Sequence, residues 1–149
     1  MNIVKNIEQY EDNNIFFCEP IKNNIMNDGN FIRILYSNHN LVLNGIYIYI
    51  LLNNISIEKH YNKFKCVFNI NLYKKLITDI KSIEENILKK INISNKSPQF
   101  KIYEQMNNGI IKIFSDSLPK TNSAFILKIS GIWETTEQYG LTYKFTKIN

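Results

Sequence analysis

An apolar stripe with helical spacing, set between segments of alternating polarity, constrains the fold more than any other feature of the sequence. Over residues 71 to 91 the apolar positions are three or four residues apart, which predicts one long helix, capped by Asn69 or Asn71. The segments on both sides alternate with a period of two, which is typical of half-buried strands. We therefore expect a mainly β protein with one long helix. The predicted stripe consists of Leu72, Leu76, Ile80, Ile83, Ile87 and Ile91.

The order of the strand segments predicts a barrel. Three segments precede the helix, and three or four follow it. Asn44 and Gly45, a strong hairpin signal, interrupt the second segment, so that it is either one bent strand or two. This order is that of a five-stranded OB-fold-like (oligonucleotide-binding) barrel with the helix between the third and fourth strands, and it favours a barrel or strongly curled sheet with the helix at one end. The predicted strands are Phe31 to Ser37, Leu41 to Leu52, Lys63 to Asn69, Phe100 to Gln105, Ile110 to Phe114, Ala124 to Trp133 and Leu141 to Ile148.

The length and the N-terminal composition predict one folded domain with an extension. A chain of 149 residues is long enough to bury one core. Residues 1 to 30 are polar and Asn-rich, and we predict an N-terminal extension with one strand at most, followed by the OB-fold-like domain over residues 31 to 149. No apolar run reaches the roughly 18 residues of a membrane span, and the first residues do not resemble a signal peptide. We therefore expect an intracellular protein that is neither secreted nor bound to a membrane.

Basic residues are concentrated in the second part of the chain. The net charge is +5, yet residues 1 to 62 carry a net charge of −2 and residues 63 to 149 a net charge of +7. Such a distribution indicates a polyanionic partner such as nucleic acid. Only one of the eighteen basic residues is arginine, and the abundance of Ile, Asn and Lys is typical of an A/T-rich genome. Lysine binds phosphate as a point charge but lacks the bidentate fork with which arginine reads bases, so we expect little sequence preference.

The sequence contains none of the usual marks of catalysis or metal binding. Cys18 and Cys66 are far apart in the sequence, which argues against a metal site and for two reduced thiols. Phosphate-binding and dinucleotide-binding glycine loops are absent, as is the nucleophile elbow of hydrolases. We expect a protein that is not an enzyme and needs no cofactor.

Lysines and tyrosines in the predicted strands are the candidates for a nucleic-acid surface. A single strand is held by cations that follow its phosphates and by aromatic rings on which its bases stack. Structural roles remain the alternative, because a tyrosine often buries its ring and leaves its hydroxyl in water. The candidate nucleic-acid-binding residues are Tyr36, Tyr47, Tyr49, Lys63, Lys65, Lys101, Tyr103, Lys112, Lys128 and Lys144.

The segment from Ile126 to Phe145 resembles the closing hairpin of a known protein group. A strand ends in Gly131-Ile132-Trp133, a polar turn follows, and the last strand begins Tyr139-Gly140-Leu141-Thr142. This arrangement is similar to that of single-stranded DNA-binding-like proteins of large DNA viruses and of related phage proteins. The resemblance implies an OB-fold, a homodimer, and a role in viral DNA replication, recombination or repair alongside replication proteins. It gives Gly131, Trp133, Tyr139 and Gly140 a structural role.

Two functions remain as alternatives. The first is sequence-nonspecific binding of single-stranded nucleic acid, with DNA favoured over RNA, in the host cytoplasm or nucleus if the protein is viral. The second is a protein-interaction or virion structural subunit that uses an OB-like fold without nucleic acid. In the second case the long helix or residues 1 to 30 would form the contact.

Overall fold

The computed structural model describes residues 4–22, 29–38, 40–114 and 123–148. Within these ranges the protein is mainly β, as predicted, with eleven strands and two α-helices. The strands are β1 (Ile15–Phe17), β2 (Ile21–Lys22), β3 (Asn30–Ser37), β4 (Val42–Leu43), β5 (Ile46–Leu52), β6 (Ser56–His60), β7 (Lys63–Val67), β8 (Ser97–Gln99), β9 (Ile110–Phe114), β10 (Ser123–Glu134) and β11 (Gln138–Ile148), and the helices are α1 (Lys74–Ile91) and α2 (Lys101–Asn107).

Strand β10 is the centre of the larger sheet because it is paired along both edges. Strand β11 pairs with one edge, while β5 and β3 pair with successive parts of the other edge. A register shift between Ile129 and Gly131 marks a β-bulge, which bends the strand. Strands β1, β2 and β4 pair with β3, and β8 pairs in parallel with β11. The result is a curled, eight-stranded half-barrel.

Strands β6, β7 and β9 form a second, three-stranded antiparallel sheet. The predicted alternation is observed in β7 and β9, where Phe64 and Cys66 of β7 and Ile111 and Ile113 of β9 are buried. Lysines occupy the positions between them and therefore lie on the outer face. Residues from both sheets and from both helices contribute to one hydrophobic core.

The long helix forms where the apolar stripe predicts it, with a different first turn. Helix α1 begins at Lys74, and a short 3-10 turn, Ile70–Leu72, precedes it, so that the predicted stripe residue Leu72 is exposed. Asn69 caps this turn by accepting a hydrogen bond from the backbone N–H of Asn71 (3.0 Å). Helix α1 ends at Ile91, and the residue that follows it, Asn92, adopts the left-handed conformation with φ of 45°.

The prediction of a strand from Phe100 to Gln105 is wrong, because these residues begin helix α2. The buried carboxylate of Glu84 on α1 accepts hydrogen bonds from the backbone N–H groups of Ile102 (3.0 Å) and Tyr103 (2.8 Å). These donors lie in the first turn of α2, where no backbone carbonyl of the helix can accept them. Helix α2 is thus capped by a side chain from another helix, and its buried residues Ile102 and Met106 have the i, i+4 spacing of a helix.

The predicted number and order of strands are also wrong. Four of the observed strands contain only two or three residues, too few for a period of two to be recognised: β1, β2, β4 and β8. Strand β6 contains five residues, but none of them is buried, so that it lacks an alternating apolar pattern. The segment from Leu41 to Leu52 forms two strands, and Gly45, with φ of 130°, separates β4 from β5. Helix α1 therefore follows the seventh strand instead of the third. The five-stranded barrel is replaced by the half-barrel and its second sheet.

The described residues of the predicted N-terminal extension are part of the main sheet. They form two strands where at most one was expected, and Ile15 of β1 is buried in the core. Lys5 adds a further bridge to β5 by donating its N–H to the carbonyl of Tyr47 and accepting from Tyr49, both at 2.9 Å. Residues 1–3 and 23–28 of the extension lie outside the described ranges.

The closing hairpin of β10 and β11 contains two glycines at close backbone contacts. A Cβ atom on Gly131 would lie 2.4 Å from the carbonyl oxygen of Ile32, and one on Gly140 would lie 2.8 Å from Cζ2 of Trp133. Trp133 and Gly140 are cross-strand partners, and Tyr139 beside them is buried. The indole ring thus packs over the space that Gly140 leaves open.

We expect Glu84→Gln to destabilise the protein by about 1 to 3 kcal/mol. The amide keeps one acceptor oxygen and turns an NH₂ group towards the other backbone N–H, which leaves a buried donor without a partner. Urea denaturation monitored by circular dichroism measures the loss. The matched control is Glu85→Gln on the exposed side of the same helix, which should change stability by less than about 0.5 kcal/mol. Equal stabilities of the two variants would contradict the capping role.

Burial also makes the contribution of Glu84 depend on pH. Burial raises the pKa of the Glu84 carboxyl above its ordinary 4.5, and this effect exceeds the lowering by its two N–H donors. Between the ordinary value and the raised one, the folded state keeps a proton that the unfolded state has released, so the stability falls as the pH rises. Relative to Glu84→Gln, the wild type should lose stability over this window and then level off. A difference that stays constant from pH 4 upward would contradict the raised pKa.

The contact between Trp133 and Gly140 should appear as an energetic coupling. We expect Gly140→Ala to cost about 1 to 3 kcal/mol, because the added methyl group meets the indole ring. In the background of Trp133→Ala the same change should cost less, since the ring is gone. Thermal or urea unfolding of the four proteins in this double-mutant cycle gives the coupling energy. Additive effects would show that the two residues act independently.

Candidate nucleic-acid interface

The outer face of β5, β10 and β11 aligns one tyrosine and two lysines across three strands. Tyr47 of β5 is the cross-strand partner of Lys128 of β10, and Lys128 is in turn the partner of Lys144 of β11. The ammonium of Lys128 lies 5.5 Å from the centroid of the Tyr47 ring. The neighbouring inward residues Ile48, Leu127 and Phe145 are buried, so this row faces solvent.

The outer face of the second sheet carries three further lysines. Lys65 of β7 is the cross-strand partner of Lys112 of β9, and Lys63 of β7 is the partner of Phe114 of β9. The ammonium of Lys63 lies 5.1 Å from the centroid of the Phe114 ring. A pocket of about 340 Å³ is lined by these three lysines and in part by His60 of β6.

A cleft joins the two faces. Strand β9 pairs with β7 along one edge, and its other edge faces β11. We name this opening the seam cleft; it has a volume of about 380 Å³, and Lys112 lies on one side of it and Lys144 on the other. The other residues of the cleft that bear on its chemistry are Gln105, Phe114, Tyr143 and Thr146.

The lysines of both faces therefore form one continuous row, which we name the lysine band. It runs over four strands in the spatial order β7, β9, β11 and β10, and ends beside Tyr47 on β5. Within the described ranges, only Lys65 of the band forms an ion pair, with Glu58 at 3.9 Å. The band consists of Lys63, Lys65, Lys112, Lys144 and Lys128.

Two pairs of lysines in the band stand directly opposite each other, Lys65 with Lys112 and Lys128 with Lys144. Like charges at directly opposed positions of an antiparallel ladder destabilise the sheet, by an amount comparable to the roughly 0.2 to 1 kcal/mol that a favourable pair contributes. An A/T-rich genome raises the number of lysines, but it does not determine which of them face each other. The fold thus carries a local repulsion that a bound polyanion would relieve.

Tyr36 is not available as a stacking platform in this structure. It lies on the inward face of β3, is only 4% exposed, and packs its ring against Tyr10 at a centroid distance of 6.1 Å. Its hydroxyl accepts a hydrogen bond from the backbone N–H of Glu11 (3.1 Å). The signal was present in the sequence, because Ile32 and Ile34 mark the inward positions of β3 and Tyr36 shares their face, whereas Arg33 lies on the other.

Lys101 and Tyr103 lie on helix α2 instead of a strand, and they are not part of the lysine band. Lys101 approaches Glu104 at 3.8 Å, and the ammonium of Lys81 on α1 lies 4.9 Å from the centroid of the Tyr103 ring. Both side chains thus have partners on the helical side of the protein. Tyr49, in contrast, is on the outer face of β5, two residues from Tyr47, and is 37% exposed.

Sequence reasoning missed Phe114 as a candidate. It is 69% exposed and occupies an outward position of β9, two residues after Lys112. The signal was present in the sequence, because Ile111 and Ile113 mark the inward positions of this strand and leave Phe114 on the side of the lysines.

The described residues contain no cluster of side chains that could hold a metal ion. In residues 4–22, 29–38, 40–114 and 123–148, no three histidine, cysteine or acidic side chains lie close enough together to hold a metal ion. Cys18 and Cys66 are free thiols, and burial raises the pKa of Cys66 to about 11, which keeps it protonated. Neither helix in this part of the chain has the length and apolar character needed to span a bilayer.

Comparison of the chain with protein-family models, with curated proteins and with solved structures finds no match. The lysine band and the seam cleft are therefore the features on which a function for this protein rests.

Proposed function

We propose that the protein binds single-stranded nucleic acid through the lysine band, without sequence preference and without catalysis. Two pairs of directly opposed lysines carry this proposal: Lys65 with Lys112, and Lys128 with Lys144. Each pair brings two like charges together, although Glu58 compensates part of the charge of Lys65 at 3.9 Å, and phosphate groups placed above the pairs would convert the repulsion into attraction.

The surroundings of the band favour a single strand over a duplex. Tyr47 and Tyr49 extend from the same outer face, next to Lys128, and offer rings to unpaired bases. The protein's one arginine, Arg33, lies outside the band on β3, where its guanidinium approaches Phe31 at 5.7 Å. The band therefore contains charges for phosphates but no bidentate group for reading base edges, which supports binding without sequence preference.

The biological setting rests on the hairpin resemblance. The Gly-Ile-Trp and Tyr-Gly-Leu-Thr elements support a role in viral DNA replication, recombination or repair, with DNA favoured over RNA. On the same basis we propose an intracellular location, contacts with replication proteins, and a homodimer.

A protein-binding function is the second candidate, and one observation favours it. At the end of the outer sheet face away from Lys128, Leu51 of β5, Ala124 of β10 and Ile148 of β11 are cross-strand partners. Leu51 and Ile148 are exposed. An apolar row of this kind is typical of a surface that contacts another protein. In this alternative the protein would form a stable complex with a protein subunit and ignore oligonucleotides.

The decisive measurement is fluorescence anisotropy of a labelled single strand of about 30 nucleotides, and of the matching duplex, at several salt concentrations. If the five lysines each neutralise one phosphate, log affinity should fall with log salt at a slope of about −3.5, or about −0.7 per phosphate. Changing Lys112 and Lys144 together to Gln should reduce that slope by about 1.4 and weaken binding.

The matched control removes the same charge elsewhere. Lys74 and Lys89 are exposed on helix α1, and their joint replacement by Gln should leave the slope unchanged. Equal effects of the two double variants would show that net charge alone, and not the lysine band, drives binding. The absence of binding to either strand form at low salt would refute the proposed function and favour the protein-binding alternative.

A further inference from the structure

The seam cleft differs from the other pocket of the lysine band, which is of similar size, because Phe114, Gln105 and Tyr143 line it. Its volume of about 380 Å³ lies in the lower part of the range of small-molecule sites, whereas a phosphate needs only a surface charge. It opens where β9 and β11 face each other, so that its floor is formed by side chains of both sheets and of α2.

Phe114 gives the cleft an aromatic wall. An outward phenylalanine on a strand of alternating polarity leaves most of its ring in water, which is unfavourable unless the ring is covered by a partner. Lys63 approaches this ring from β7, on one side of β9, while the cleft lies on the other side, towards β11. The side of the ring that faces the cleft is therefore open to a flat apolar group.

The opposite part of the cleft is polar and fixed in position. The hydroxyl of Tyr143 on β11 donates a hydrogen bond of 2.7 Å to Oε1 of Gln105 on α2. This contact orients the amide of Gln105 and leaves its NH₂ group as a donor without a partner among the described residues. The cleft thus combines an aromatic ring, an oriented amide donor, and the ammonium groups of Lys112 and Lys144 on its two sides.

We propose that the seam cleft binds one unpaired base of the bound strand, with the adjacent phosphates on Lys112 and Lys144. The base stacks on Phe114, and Gln105 donates a hydrogen bond to an acceptor on the edge of the base. In a duplex that base is stacked and paired, and it reaches the cleft only after it is unpaired. The cleft therefore adds to the preference for single strands that Tyr47 and Tyr49 provide. This inference rests on the proposed function and adds to it one defined site for an unpaired base.

The test compares two strands that have the same phosphates but differ in their bases. The probes are a labelled oligothymidylate of about 10 nucleotides and an abasic strand of the same length. On oligothymidylate, Phe114→Ala should weaken binding about 5- to 100-fold, the loss typical of one stacked base, and Phe114→Trp should retain binding. On the abasic strand, Phe114→Ala should have no effect, while Lys112→Gln should weaken binding to both strands.

The matched control is Phe16→Ala, which removes another exposed phenylalanine (54% exposed) from β1, outside the lysine band and the cleft. It should leave both affinities unchanged. If wild-type protein binds neither strand at low salt, the proposed function itself fails. If it binds both strands and Phe114→Ala leaves the affinity for oligothymidylate unchanged, the lysine band stands and the base site in the cleft is refuted.

Discussion

Strand β10 uses both of its edges, and the remainder of the half-barrel depends on this pairing. One edge binds β11 along its length, and the other binds β5 first and β3 after the bulge. The bulge belongs to the pairing of β10 with β11, and it lies at the point along β10 where the opposite edge changes partner from β5 to β3. Gly131 lies at the bulge, where a Cβ atom would collide with the backbone of Ile32. A single pairing pattern therefore sets the curl of the sheet and also places Lys128 between Tyr47 and Lys144.

The same pairing pattern brings like charges together on the proposed binding surface, which lowers the stability of the fold. The inward residues of β5, β10 and β11 form a dense apolar core, whereas their outward residues bring like charges together. Burial of the inward face contributes far more free energy than the opposed lysines cost, at roughly 25 cal/mol for each Å² of apolar surface. The fold can therefore tolerate the repulsion. A surface that stores a modest repulsion gains binding energy when a polyanion neutralises it.

The sequence predicted those parts of the structure that depend on local periodicity. Helix α1 and the strands β3, β7, β9, β10 and β11 contain enough residues for a period of 3.6 or 2 to be recognised. Helix α2 was missed because its first turn is stabilised by Glu84, eighteen residues away in the sequence. The residues of the candidate site were likewise predicted only in part. The alternation identified the outward lysines, and the same period places Tyr36 on the buried face of Ile32 and Ile34. The opposition of the lysines in register and the seam cleft follow from tertiary pairing, which periodicity does not encode.

Protection of sheet edges is the main structural explanation for lysines on strands, because a charge on an edge strand prevents pairing with another chain. It accounts for single lysines on the facing edges of β9 and β11. It does not account for Lys128 on the central strand β10, nor for Lys65 on β7, which is paired on both sides. Phe114 contradicts it directly, because an exposed aromatic ring on the edge strand β9 promotes association where a charge would prevent it. The proposed phosphate binding along the whole row, with a base in the cleft, would account for the central lysines and the edge phenylalanine together.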